Sequence, residues 1–388
     1  MNIIEETGQH IMSTYGRSNV VLDSGNGATC EDTVKRKYID FGSGIGTTSL
    51  GFSDTEWADA VCAQVRKLQH TSNLFYHEPQ AQLAKMLCEM TGYSKVFYGN
   101  SGAEANECAI KLARKYSFDK YGKGRHTIIT LVNSFHGRTL ATLSATGQDV
   151  FHDFFFPFVE GFRYVKANDI EDLHANLDET VCAIMVEYIQ GEGGVKPLEA
   201  AFVQEIRKIC DEKDILMIAD EVQTGIGRTG KLLAGEHFGC MADVTTLAKG
   251  LAGGLPIGAC LANEKCADVL GKGSHGSTFG GNPVSCAGAV KVLERMSQDG
   301  MLESIVRKSD EIRSRLSEID EVADVSGKGM MIGIALKNKK APDVLQECLN
   351  RGLLVLTAKE RVRLLPPLTI TDDELREGLE ILCKVLEG

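Results

Sequence analysis

Helical and strand-like segments take turns along the chain from about Trp57 to Ala262, and this alternation limits the available folds more than any other feature. Apolar residues at helical spacing mark 56–70, 79–91, 102–117 and 199–213. Short apolar runs at 127–132, 181–187, 215–220 and 257–262 read as strands. Strands separated by helices pair in parallel, because the helix carries the chain back to the starting edge. Nearly unbroken apolar strands need cover on both sides. The expected fold class is α/β, with a mostly parallel central sheet and helices on both faces.

The flanks differ. The first fifty residues read as a β-meander: Val20–Leu22 leads into the turn-rich Asp23–Asp32, and Lys37–Phe41 follows as a strand. Helices are expected at 284–298 and 301–318, then strands at 322–326, 330–336, 353–357 and 361–365. A last helix opens on Thr371-Asp372-Asp373-Glu374, a capping-box pattern. Three parts are therefore expected. Residues 1–50 form a meander that packs with the small domain, 51–284 form a large domain, and 285–388 form a small α+β domain.

Composition excludes several functions. Lys and Arg total 42 against 53 Asp and Glu, a net charge of −11, which is a poor fit to binding a nucleic-acid phosphate backbone. The twelve cysteines include no CxxC pair, and no HExxH occurs, so no sequence-local metal site is expected. Scattered cysteines in apolar runs read as buried thiols in a reducing compartment. The N-terminus MNIIEETGQH lacks a basic and apolar leader, and no apolar run nears the roughly 18–20 residues that cross a bilayer. A cytoplasmic protein without membrane contact is expected.

Three local patterns carry chemistry. Asn100-Ser101-Gly102-Ala103-Glu104 follows a strand-like segment and opens a helix. Free N–H groups there attract a phosphate, although Ser101 and Glu104 also fit a plain capping box. Asp220 ends an apolar strand, where open α/β sheets bind ligands. Lys249 lies in a glycine-rich turn among small and apolar residues, and burial of its ammonium would free a nucleophilic amine. Two decoys fail in context. Gly225–Lys231 matches the start of a P-loop, but Leu232 replaces the magnesium-binding hydroxyl. Gly271–Gly276 fits a dinucleotide fingerprint but follows a helix rather than a strand. Together, a phosphate-binding helix start, a strand-end Asp and a lysine 29 residues later are what a pyridoxal phosphate site needs.

The chain resembles the class III pyridoxal-phosphate aminotransferases from about residue 20 to its end. The resemblance rests on NSGAEANECAIKLAR, SFHGRT, VEYIQGEGGV, DEVQTGIGRTG, LAKGLAGGLPIGA, GSHGSTFGGNP and VRLLPP, in the family's order. It implies fold type I and pyridoxal 5′-phosphate held covalently by Lys249, which also moves the proton. Asp220 would pair with the ring nitrogen, Gln223 with the phenolic oxygen, and Val222 and Phe135 would flank the ring. Gly102 and Ala103, with Ser101 nearby, would hold the phosphate. Thr278 would reach that phosphate from a second copy, making a homodimer.

Arg138 would bind the α-carboxylate of the donor, and Arg363 that of 2-oxoglutarate or glutamate. Glu192 would neutralise Arg363 in one half-reaction, while Ser277 and Ser43-Gly44-Ile45 would lie near the distal end of the substrate. The implied reaction moves the δ-amino group of N-acetylornithine to 2-oxoglutarate, a step of arginine biosynthesis. Ornithine, succinylornithine and 4-aminobutyrate are alternative donors, and a catalytically silent cofactor-binding protein is the alternative outside enzymes. Two departures bear on substrate choice: GFSDTEW replaces the family's GHxHP-like run, and Tyr188 stands where proline commonly follows the glutamate at 187.

Overall fold

The computed structural model describes residues 2–388. Seven strands pair in the order Lys95–Gly99, Gly258–Ala262, Val244–Leu247, Leu216–Asp220, Val181–Val186, Thr127–Leu131, Phe162–Val165. All run parallel except Gly258–Ala262, which is antiparallel to both neighbours. The exception has a local cause. Only the Ala248–Ile257 turn separates it from Val244–Leu247, too short a link for a helical crossover.

Alternation along each strand sorts the core into two layers. Ile184, Val186, Met217 and Ala219 pack with the helix Ala200–Glu212 through Phe202, Val203 and Ile206. Ala183, Met185, Leu216 and Ile218 face the helix Gly102–Tyr121 through Cys108, Ala109, Leu112 and Ala113. Each fully buried aliphatic side chain contributes roughly 1.5–3 kcal/mol of burial. Continuous apolarity of these strands is thus the signature of a sheet covered twice.

The flanking segments form two small sheets. Leu22–Asn26, Thr29–Asp32 and Lys37–Asp40 make the expected meander, and Leu353–Leu354 adds to it in parallel, with Leu353 opposite Ile39. The other sheet is antiparallel, in the order Val322–Lys328, Met331–Leu336, Arg361–Leu364, Leu356–Ala358. Three expectations need correction. The turn-rich Asp23–Asp32 is mostly hairpin strand that reverses at Gly27 (φ +58°), and its exposed first strand has no apolar alternation to betray it. The single strand expected at 353–357 breaks at Val355, one half joining each sheet. Residues Ile3–His10, inside the expected meander, are helical, with no buried side chain.

The expected final helix runs Asp372–Glu387, and its capping box is present. All twelve cysteines are free, and only Cys62 and Cys88 lie outside the buried class. Among the described residues, no helix is long and apolar enough to cross a membrane, and no cluster of His, Cys, Asp or Glu could hold a metal ion.

Candidate active site

A cavity of about 470 Å³ opens at the carboxyl end of the central strands. Ten residues singled out in the sequence line it: Ser101, Gly102, Ala103, Phe135, Arg138, Glu192, Asp220, Val222, Gln223 and Lys249. At one end lies the start of the helix Gly102–Tyr121. Ser101 Oγ accepts from Glu104 N at 3.2 Å, and Glu104 reaches back to Asn100. Ser101 therefore caps the helix, but the expected capping box is not closed, because Glu104 bonds Asn100 rather than Ser101 N. The first-turn N–H groups of Gly102 and Ala103, beside the cavity, have no intrahelical acceptor. Glycine is required at 102 for a reason invisible in sequence: an added Cβ would lie 2.7 Å from Val222 Cγ1.

Asp220 closes the strand Leu216–Asp220 and is 4% exposed. Its Oδ2 accepts from Asn106 Nδ2 at 2.7 Å and contacts His136 Nδ1 at 2.8 Å, while Oδ1 accepts from Val222 N at 3.0 Å. Asn106 is itself fixed, accepting from Thr246 Oγ1 and donating to the His136 carbonyl. The buried Nε2 of His136 has no partner. Behind this group, the buried Glu187 accepts from Phe135 N at 2.8 Å and Gly191 N at 3.1 Å, tying two cavity loops together. Burial pushes the Glu187 carboxyl upward.

Lys249 follows the strand Val244–Leu247 and begins a short helical turn. Its φ of +40° is uncommon for a residue with a side chain, and the residue lines the cavity. Burial lowers the Lys249 pKa from its ordinary value; Glu192 opposes that shift and Arg363 adds to it.

Arg363, on the strand Arg361–Leu364, is buried. Its Nη1 donates to Glu192 Oε1 at 2.6 Å and to Gln223 Oε1 at 3.2 Å, and its Nε is buried without a partner. Burial raises the Glu192 carboxyl, but Arg363, Lys249 and Gln223 outweigh it and leave the group below the usual carboxylate range. Arg138, at the mouth, is exposed and has no carboxylate partner among the described residues. Its guanidinium carbon lies 4.0 Å from the Phe151 ring centroid.

Three residues singled out in the sequence are not in the cavity wall: Arg363, which meets it only through Glu192 and Gln223, and Ser277 and Thr278. Ser277 is half-buried, and its Oγ accepts from Asn100 Nδ2 and Gly280 N. Thr278 is exposed. Ser43, Gly44 and Ile45 form a left-handed turn beside the site, and Thr47 beyond it reaches the cavity. Sequence reasoning missed Asn106, His136 and Glu187 as members of the site. One signal was available for Asn106, a weak helix former set among the apolar stripe of its helix.

Comparison with known proteins then decides the family. The family model for class III aminotransferases matches residues 12–386. The chain belongs to this family. It is 51% identical to the acetylornithine aminotransferase of Haemophilus ducreyi, over 97% of this chain and 96% of that one. Among solved structures, the N-acetylornithine aminotransferase of Stenotrophomonas maltophilia K279a superposes with a TM-score of 0.86 and 35% identity, covering 99% of this chain and 98% of that one. The ornithine aminotransferase of Toxoplasma gondii, whose structure reveals partial occupancy of PLP at the active site, superposes with a TM-score of 0.94 and 32% identity, covering 99% and 93%.

For a class III aminotransferase, the residues present fit pyridoxal phosphate. The cavity has apolar walls at Val222 and Phe135, an acid at Asp220, an amine at Lys249 and free N–H groups at the helix start. Neither departure from the family pattern touches the cavity directly. Tyr188 points away from it and stacks on Phe238 at 5.1 Å. Within GFSDTEW, Asp54 caps the helix Thr55–Lys67. Trp57 Nε1 donates to the Ala252 carbonyl at 3.1 Å, supporting the Lys249 turn from behind.

Proposed function

We propose that this aminotransferase moves the δ-amino group of N-acetylornithine to 2-oxoglutarate, using pyridoxal 5′-phosphate, in the cytoplasm and as a homodimer. One observation carries the reading: two guanidiniums at the site are in opposite states, Arg138 lining the cavity without a carboxylate and Arg363 bonded to the cavity-lining Glu192 and Gln223. The 51% identity to an acetylornithine aminotransferase supports the same donor.

When bound, the cofactor supplies an aldehyde that captures amines and a ring that accepts electrons from the carbon losing its proton. Lys249 would hold that aldehyde and, once the donor's amine has released it, would take and return the proton at the reacting carbon, helped by a pKa that burial lowers. Asp220 holds a proton on the ring nitrogen, and Asn106 and His136 fix its orientation. Gly102 and Ala103 would donate to the phosphate, Val222 and Phe135 would flank the ring, and Gln223 would bond its phenolic oxygen; all five line the cavity. Thr278, exposed on its own chain, reaches the phosphate of a second copy.

N-Acetylornithine bears one free carboxylate, which Arg138 binds edge-on. Arg363 then has no substrate partner, and Glu192 balances its charge. 2-Oxoglutarate bears two, and its second displaces Glu192 from Arg363. Ser277 lies toward the distal end of the substrate. The test is single-turnover reaction of the loaded enzyme with a panel of donors. N-Acetylornithine is expected to react fastest; faster reaction with ornithine or 4-aminobutyrate overturns the donor assignment.

A further inference from the structure

We propose that Phe151 is a positioning residue that sets selectivity for donors with a free α-carboxylate, by holding the Arg138 guanidinium against its ring. The inference rests on Arg138 being the donor's carboxylate-binding residue, as read above. Arg138 has no hydrogen bond or ion pair among the described residues, so aromatic faces are its attachment. Its guanidinium carbon lies 4.0 Å from the Phe151 centroid but 5.4 Å from that of Phe135. The two rings meet edge to face at 5.9 Å and 78°, forming a corner that the guanidinium caps.

Phe151 itself is not in the cavity wall, so it acts through Arg138, which is. Its position is fixed from below. Phe151 N donates to the Gln148 carbonyl at 3.0 Å, and Gln148 Nε2 donates to the Ser134 carbonyl at 3.0 Å, next to Phe135. His152 is anchored to the Leu143 carbonyl at 3.0 Å. The ring over which Arg138 lies is thus tied to the loop that carries the cofactor-flanking Phe135.

A guanidinium is planar, and its face and its edge are used by different partners. Stacking occupies the face and leaves the in-plane N–H fork for a carboxylate. An arginine already held this way loses less rotamer freedom on binding than one waving in water. The effect belongs to carboxylate binding, because Arg138 takes no part in proton movement at Lys249.

The test is the set Phe151→Leu, Phe151→Trp and Arg138→Leu in the holoenzyme, with N-acetylornithine and its decarboxylated analogue N-acetylputrescine as donors. Cation–π energies at part-exposed sites predict that Phe151→Leu raises KM for N-acetylornithine about three- to tenfold. Its kcat and its kcat/KM for N-acetylputrescine should stay near wild type, its KM for 2-oxoglutarate should rise alongside because one carboxylate of that substrate also meets Arg138, and Phe151→Trp should restore both KM values. An equal loss with both donors would reveal a merely structural role and overturn the proposal. If Arg138→Leu raises the donor KM and Phe151→Leu does not, this proposal fails and the reading of Arg138 stands. If neither variant changes it, both fail.

Discussion

Replacing Glu192 with Gln should make the enzyme bind 2-oxoglutarate more tightly. In the structure, the Glu192 carboxylate occupies Arg363, with Nη1 and Oε1 2.6 Å apart. Any dicarboxylate that uses Arg363 must first break that pair. Hydrogen bonds to charged groups contribute about 1.5–3 kcal/mol. Arg363 is 3% exposed but Glu192 is 30% exposed at the side chain, so water screens one end. The lower part of the range, about 1.5–2 kcal/mol, is appropriate. Glutamine keeps the shape and removes the charge, so KM for 2-oxoglutarate should fall about ten- to thirtyfold. The ligand-free variant should also melt at a lower temperature, because the buried Arg363 loses its counter-charge. Steady-state kinetics at saturating donor reads the first effect and thermal unfolding the second. An unchanged or raised KM in a well-folded Glu192→Gln protein would refute the reasoning.

Other outcomes follow from the same geometry. Gly102→Ala should weaken cofactor retention about five- to hundredfold, because Val222 is forced into the cavity; absorbance titration of the cofactor measures it. Asp220→Asn should lower kcat about a hundredfold or more in stopped-flow half-reactions, since a neutral amide cannot replace an anion between Asn106 and His136. Lys249→Ala should abolish turnover and the visible absorbance of the covalently held cofactor; wild-type turnover in that variant would end the mechanism. Glu221, fully buried beside the strand end, has its carboxyl pushed up to about 7 by burial. The folded protein then binds more protons than the unfolded chain between pH 4.5 and about 7, so this group's contribution to stability falls as pH rises through that window. Glu221→Gln, which cannot ionise, should show a flatter profile of melting temperature against pH there.

The central sheet was legible because strands covered on both faces must be apolar at nearly every position, as 181–187 and 215–220 are. Lys249, Asp220 and the helix start at Gly102 were legible because each sits in a local pattern with its own physical meaning. Their partners were not. Glu192 and Arg363 lie 171 positions apart and Asn106 and Asp220 lie 114 apart, so only tertiary packing brings them together. Resemblance to the family named Glu192 and Arg363, but nothing in the chain marked Glu187 as a site member, and Asn106 was marked only as a weak helix former in an apolar stripe. Val355 shows the same limit in the fold. Its neighbours look like one strand because local sequence cannot say that two different sheets divide them.

The indole of Trp57 rests against the turn that Lys249 begins; a Cβ at Gly253 or Gly288 would come within 2.9 Å of its Nε1. It is also the only tryptophan in the chain. Nature has thus placed a single intrinsic fluorophore on the back of the reactive segment. Its emission can follow loading, release and any shift of that segment in real time, without a label and without a substrate.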